Sequence, residues 1–217
     1  MRISKLLEIA SPPIGASLAS GRQFPHWRER GPRFEELARL LAVHNGFYAF
    51  EAALHLFPEM EDRIEGSEKV GLQAWNAAAA WRDSYGDLLD GIFFFAEDVF
   101  GGQFGIRDDE IVTFEPEAGD IELMAHNLDD WAGRILSDYS QLTGYPLAHA
   151  WQSAHGPIPP GKRLLPKRPF ILGGPFDEGN LFAVDAIKGM RYRGDLWQQL
   201  RDLPDGAQVR LKPLPLQ

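Results

Sequence analysis

The stretch Ile92-Phe93-Phe94-Phe95-Ala96-Glu97-Asp98-Val99-Phe100-Gly101-Gly102-Gln103-Phe104-Gly105-Ile106 decides the fold. Ile92 to Ala96 is apolar at every position, which predicts a central strand covered on both faces. Gly101-Gly102 supplies a turn, after which Phe104 and Ile106 alternate as in a half-buried antiparallel strand. The same alternation recurs at Val112 and Phe114 and again at Ile121 and Leu123. Asp108-Asp109 and Glu117-Ala118-Gly119 are short links of turn composition, so the four strands should follow one another as a meander.

Helical patterns flank this meander. Upstream, Phe34, Leu37, Leu40 and Leu41 recur at helical spacing, with Glu35, Glu36 and Arg39 on the other side. Asn45-Gly46 then gives a left-handed stop. Phe47 to Phe57, ending at Pro58, reads as one strand. A second helix is expected from about Gly71 to Tyr85, with Leu72, Trp75, Ala78 and Ala79 on its apolar face. Downstream, Asn127 can cap a third helix, with Asp130 back-bonding. Leu128, Trp131, Ile135, Tyr139 and Leu142 continue that helix until Gly144 closes it.

Residues 145–168 contain Pro146, Pro157, Pro159, Pro160 and Pro166 and predict an irregular connection. Phe170 to Leu172 and Leu181 to Ile187 read as two strands around Gly173-Gly174, followed by a short helix from Asp195 to Arg201 and a Pro-rich tail. Residues 1–32 predict a loosely ordered lead-in with one short helix at most. The organisation expected is therefore a lead-in (1–32), a core (33–144) and an extension (145–217) packed on the same domain. Its fold class is α+β, a mainly antiparallel sheet with helices packed on it. Strands do not alternate with helices, which disfavours a doubly wound nucleotide-binding fold.

Composition narrows the function. A chain of 217 residues can bury roughly 70% of its unfolded surface without a staple. The absence of cysteine removes disulfides, thiolate metal sites and a cysteine nucleophile. A net charge of −9 disfavours nucleic acid or an anionic membrane surface as a partner. Residues 1–160 carry 12 basic and 25 acidic side chains, whereas 161–217 carry 10 and 6, so the acidity is concentrated. Arg2 and Lys5 precede Leu6-Leu7 as in a signal peptide, but Glu8 and Pro12-Pro13 interrupt the apolar stretch. No apolar run reaches the ~20 residues of a membrane span, and a cytoplasmic protein is expected.

Catalytic patterns are weak. His44 with His55, and His149 with His155, lack the helical pairing that aims two imidazoles at one ion. Glu97-Asp98 are adjacent on a strand and point to opposite faces, and Asp108-Asp109 suit a turn. No serine sits in a nucleophile elbow, and Gly101-Gly102 and Gly173-Gly174 lack the lysine of a phosphate loop. The expectation is a non-enzymatic protein without catalytic residues, cofactor or metal.

Two features point instead to binding. From Glu97 to Glu122 there are nine acidic residues, Glu97, Asp98, Asp108, Asp109, Glu110, Glu115, Glu117, Asp120 and Glu122, against one basic residue, Arg107. On turns and on the outward sides of the strands, several should share one edge and steer a basic partner. At 100° per residue Trp81 lies about 120° round from Trp75, so it is read either as packing at the margin of the core or as a partly exposed interface anchor beside Tyr85. The residues expected to bind a partner are Trp81, Glu97, Asp98, Asp108, Asp109, Glu110, Glu115 and Glu117.

The segment Phe94 to Ile106, with its acidic residue and Gly101-Gly102 turn, resembles the SUKH superfamily of yeast cell-wall regulators and bacterial proteins. Thr113-Phe114-Glu115-Pro116-Glu117, the closing helix around Leu128-Asp129-Asp130-Trp131, and Asn45-Gly46 upstream extend the resemblance over about residues 34–142. It implies a non-enzymatic α+β binding domain. Many bacterial members are immunity proteins that neutralise a toxin, and a basic nuclease domain is the kind of partner implied. A regulatory domain of the same fold, without a toxin partner, is the alternative.

Overall fold

Six strands, β1 (Phe47–Ala49), β2 (Leu54–Leu56), β3 (Phe93–Asp98), β4 (Gln103–Arg107), β5 (Glu110–Glu115) and β6 (Asp120–Ala125), lie in one sheet in chain order. Each runs antiparallel to the one before it. This computed structural model describes residues 1–18, 30–60, 70–204 and 206–207. The helices are α1 (Arg2–Glu8), α2 (Pro32–Val43), α3 (Leu72–Asn76), α4 (Leu128–Ser137), α5 (Tyr139–Thr143), α6 (Tyr145–His155) and α7 (Ala186–Leu200), and strands β7 (Lys162–Pro166) and β8 (Leu181–Asp185) pair as a hairpin. The fold is α+β, as the meander predicted. No helix among the described residues is long and apolar enough to cross a membrane.

The apolar run at Ile92–Ala96 is explained by what covers it. On one face Phe93 meets Phe34 of α2 at 5.4 Å, and Phe95 and Phe104 meet Trp131 of α4 at 5.1 and 5.8 Å. On the other face Phe94 packs on Trp81 at 5.5 Å and Phe114 at 5.8 Å. Tyr85 joins this second layer to Trp197 of α7 at 5.6 Å. A central strand sandwiched by helices on both sides needs apolar groups on both sides. Helix α1 rests on the N-terminus of α4, where Asp129 accepts the amides of Arg2 and Ile3 at 2.7 and 3.1 Å.

The described part of the extension packs on this same core. Leu164 of β7 donates its amide to the carbonyl of Val99 at 2.9 Å, tying the hairpin to the end of β3. Met190 and Trp197 of α7 are buried in the main cluster, while Leu164, Leu181, Ala148 and Trp151 form a smaller one around Val99 and Ala53. Residues 19–29 of the lead-in and the tail beyond 207 lie outside the described residues.

Several elements differ from the sequence reading. Phe47–Phe57 is a hairpin rather than one strand, because Phe50, Glu51 and Ala52 all adopt positive φ (52°, 53° and 66°). Contacts from elsewhere hold that turn: Gln152 donates to the Glu51 carbonyl at 2.9 Å and Phe50 stacks on Tyr139 at 4.8 Å. The helix expected over 71–85 stops at Asn76, whose side chain accepts from the Phe94 amide at 2.8 Å and donates to its carbonyl at 2.7 Å. Asn76 thus serves the edge of β3 where β2 has ended. A 3₁₀ segment follows over Arg82–Leu89.

The prolines of 145–168 do not preclude order. Pro146 sits in the first turn of α6, where its missing N–H and fixed φ are harmless. Phe170–Leu172 is a single 3₁₀ turn instead of a strand, and α7 begins at Ala186, capped by Asp185, well before the expected Asp195. The third helix is as read, with Asn127 accepting from the Asp130 amide at 2.8 Å, apart from a break at Asp138. Gly144 ends it at φ 70°, where a Cβ would lie 2.4 Å from the Phe100 ring.

Candidate functional site

The densest group of ionisable side chains lies inside the protein, around Glu97. His55 on β2 stands opposite Glu97 on β3 in the strand register, and Nδ1 is 3.0 Å from Oε1. Arg163 of β7 donates from Nε to the same oxygen at 2.7 Å. Gln103 on β4 accepts from Trp75 Nε1 at 2.8 Å and reaches Glu97 Oε2 at 3.5 Å. Tyr48 stacks on His55 at 4.5 Å, and Phe57 meets it edge-on at 4.4 Å. Three strands of the sheet and the β7–β8 hairpin therefore converge on one carboxylate.

Its electrostatics follow from that packing. Burial alone would raise the Glu97 carboxyl, but the Arg163 guanidinium and then the His55 hydrogen bond outweigh it and hold the group below its ordinary value. Burial drives His55 down to about 4, against the pull of Glu97. At neutral pH the imidazole is uncharged, and because a carboxylate only accepts, Nδ1 carries the proton. The adjoining cavity, bordered by Tyr48, Phe57, Trp75 and Ile187, has about 20 Å³, room for one water and none for a substrate. This arrangement ties strands together.

The residues expected to bind a partner separate into three groups. Trp81, Glu97 and Glu117 are buried, at 1, 2 and 3% exposure, and cannot contact one. Trp81 turns inward because the helix break at Asn76 cancels the angular offset of a continuous helix, bringing it 5.5 Å from Trp75. Glu117 is covered by the loop at 170–172: it accepts from the Ile171 amide at 3.0 Å and faces Arg193 at 3.8 Å. Burial raises its carboxyl against that guanidinium.

Asp98 is a turn residue. It accepts from the amides of Phe100 and Gly102 at 2.7 and 2.8 Å; a Cβ on Gly102 would lie 2.4 Å from its Oδ2, while Gly101 is required by its positive φ of 84°. Burial pushes its carboxyl up to about 7, in spite of those two amides.

In the third group Asp108, Asp109 and Glu115 are exposed and Glu110 is half-buried, yet they do not form one acidic edge. Asp108, Asp109 and Glu110 lie at one end of β5 and Glu115 at the other. The first three already face Arg107, Arg33 and His126, at 3.7, 3.7 and 2.9 Å. Glu115 differs. The register sets Asp120 opposite Glu115 and Glu122 opposite Thr113, so alternation puts Glu115, Asp120 and Glu122 on one face of the β5–β6 hairpin. All three are exposed, and among the described residues none makes an ion pair.

The sheet's two edges are unlike. The chain's own segment 11–15 closes β1: Ser11 donates its amide to the Tyr48 carbonyl at 2.7 Å, and Ile14 and Gly15 donate to Gly46 and Asn45 at 3.0 and 2.8 Å. On β6, no hydrogen bond among the described residues reaches the outer edge. Leu123, directed to the face away from the carboxylates, is 61% exposed there. A groove of about 430 Å³ also lies between α1 and α2, lined by Ile3, Leu7, Leu40 and Val43, with Glu36 and Arg39 at its rim.

Set beside known proteins, the chain matches no protein-family model and no curated protein. It is similar to a solved structure, that of Atu4351 from Agrobacterium tumefaciens. The two share a TM-score of 0.59 at 12% identity, over 87% of this chain and 86% of that one. At that identity the likeness is one of fold.

The sequence reading missed His55, Gln103 and Arg163. His55 stands between Leu54 and Leu56, all buried, so a signal existed in a polar residue inside an apolar run. Arg163 carried none, because its partner lies 66 positions away.

Proposed function

We propose that the protein is a non-enzymatic binding protein of the cytoplasm, an immunity protein that neutralises a cognate toxin by forming a stoichiometric complex without a cofactor. The observation that carries this reading is the unpaired acidic face of the β5–β6 hairpin. Glu115, Asp120 and Glu122 make no ion pair among the described residues and together raise a negative field, which would speed the approach of a basic domain and orient it. A nuclease toxin is such a domain. The SUKH-like segment supports the same reading, since it forms the adjacent strands β3 and β4 with Asp98 and Gly101-Gly102 between them.

The test is capture of the tagged protein from the cells that produce it, followed by expression of each recovered polypeptide in a neutral host. A partner that arrests growth alone and is harmless with this protein supports the reading. Recovery of housekeeping proteins only, from cells shown to make the candidate toxin, overturns it in favour of a regulatory domain of the same fold.

A further inference from the structure

We infer that the outer edge of β6 is the docking strand of this protein, and that it pairs with an extended, lysine- or arginine-bearing strand of the partner. The inference rests on the binding reading above and names its contact surface.

Three observations combine. First, an open strand edge presents main-chain donors and acceptors to any extended peptide. Among the described residues, the sheet leaves one of its two edges in that state, because residues 11–15 hydrogen-bond to residues 45–48 along the other. Second, β6 is fixed to β5 in regular register over Asp120–Leu123, with a shift at Met124 before the pairing resumes at Ala125. The strand is therefore already extended, and a partner need not order it.

Third, the side chains select the occupant. Asp120 and Glu122 alternate on one face, with Glu115 beside them, so cationic side chains at alternate positions of an incoming strand would stand opposite carboxylates. Leu123, on the other face, offers an apolar contact. Two copies of this chain joined edge to edge would set carboxylates against carboxylates, which disfavours self-pairing.

The probe is a synthetic peptide of alternating lysine and valine, as long as β6, titrated into the full chain while amide shifts and hydrogen exchange are followed. The expected result is saturable binding, with shifts and protection concentrated at Asp120–Met124. Methylating alternate peptide amides on the pairing side should abolish it, since a main-chain ladder cannot form. The double variant D120K/E122K should weaken the lysine peptide by about tenfold or more and favour a glutamate–valine peptide instead.

Equal binding by the methylated peptide would reduce the contact to charge attraction and overturn the ladder. Protection elsewhere, or no saturable shift up to about 1 mM, also overturns it. So does self-association that protects β6 without peptide, which would give the edge to a second copy. The outcomes separate from the function itself: a toxin captured and neutralised equally by D120K/E122K sinks the β6 surface and leaves the immunity reading standing.

Discussion

Replacing Arg163 by methionine tests the account of the buried carboxylate most directly. Methionine keeps much of the volume of a side chain that is 3% exposed, but removes the charge 2.7 Å from Glu97 Oε1. Glu97 is then left with the His55 hydrogen bond at 3.0 Å and a distant amide at 3.5 Å. Breaking one side of a buried pair in this way costs about 3–5 kcal/mol, a large part of the 5–15 kcal/mol that holds a typical domain together. For a chain of this size that is a fall in Tm of about 6–20 °C.

Thermal and urea unfolding at pH 7, followed by tryptophan fluorescence, measures it. The double variant R163M/E97Q leaves no buried charge unpaired and should recover part of the loss. The pH dependence supplies a second reading. Without the guanidinium, burial raises the Glu97 carboxyl, so the variant's deficit is greatest at neutral pH and shrinks as the pH falls and the group takes up a proton. A loss below about 1 kcal/mol at pH 7, or a deficit that does not shrink on acidification, would refute the picture of an ionised, buried Glu97 held by Arg163.

Three further outcomes are expected. Burial depresses His55 from 6.5 to about 4, so between those values the unfolded chain binds a proton that the folded chain refuses. That contribution is complete above pH 6.5 and costs about 3 kcal/mol by pH 4, and H55N should flatten this limb of the stability–pH curve. N76A leaves the Phe94 amide and carbonyl without their partner at the edge of β3, and should lose about 2 kcal/mol in a urea titration. G144A combines a left-handed φ with a Cβ 2.4 Å from Phe100, and should destabilise the fold by more than the roughly 1–2 kcal/mol of the backbone strain alone. A G144A/F100A pair destabilised by clearly less than the sum of the two single variants would identify the clash with Phe100 as a large part.

What was legible followed from local rules. Strands β3 to β6 were readable because an all-apolar run and three alternating ones were separated by turn residues, and the α4 cap because Asn127 precedes a helical repeat. What was hidden depends on distant parts of the chain. The turn at Phe50–Ala52 has no glycine, and contacts from α5 and α6 hold its positive φ values. Trp81 looked marginal only because a helix was assumed to run past Asn76, where a bond to β3 ends it. Helix α6 was concealed by a proline at the one place a helix accepts it. For the site, Asp108–Glu110 showed its acidity but not the side chains that face it, since Arg33 and His126 come from other elements. Glu97 and Glu117 looked like surface charges, and only the later arrival of Arg163 and Arg193 makes their burial affordable.

That late arrival has a consequence for how the chain is made. Glu97 leaves the ribosome 66 residues before Arg163 does. At about 5–20 residues per second the delay is on the order of 3–13 s. The six-strand sheet is complete as sequence only once Ala125 is made, and from then until Arg163 follows its central carboxylate has no guanidinium, while the ring layer over Phe94 waits still longer for Trp197. A nascent sheet that closed around that carboxylate would do so at a cost of about 3–5 kcal/mol. The ion pair that offsets this burial is completed only when the β7–β8 hairpin is made, late in synthesis.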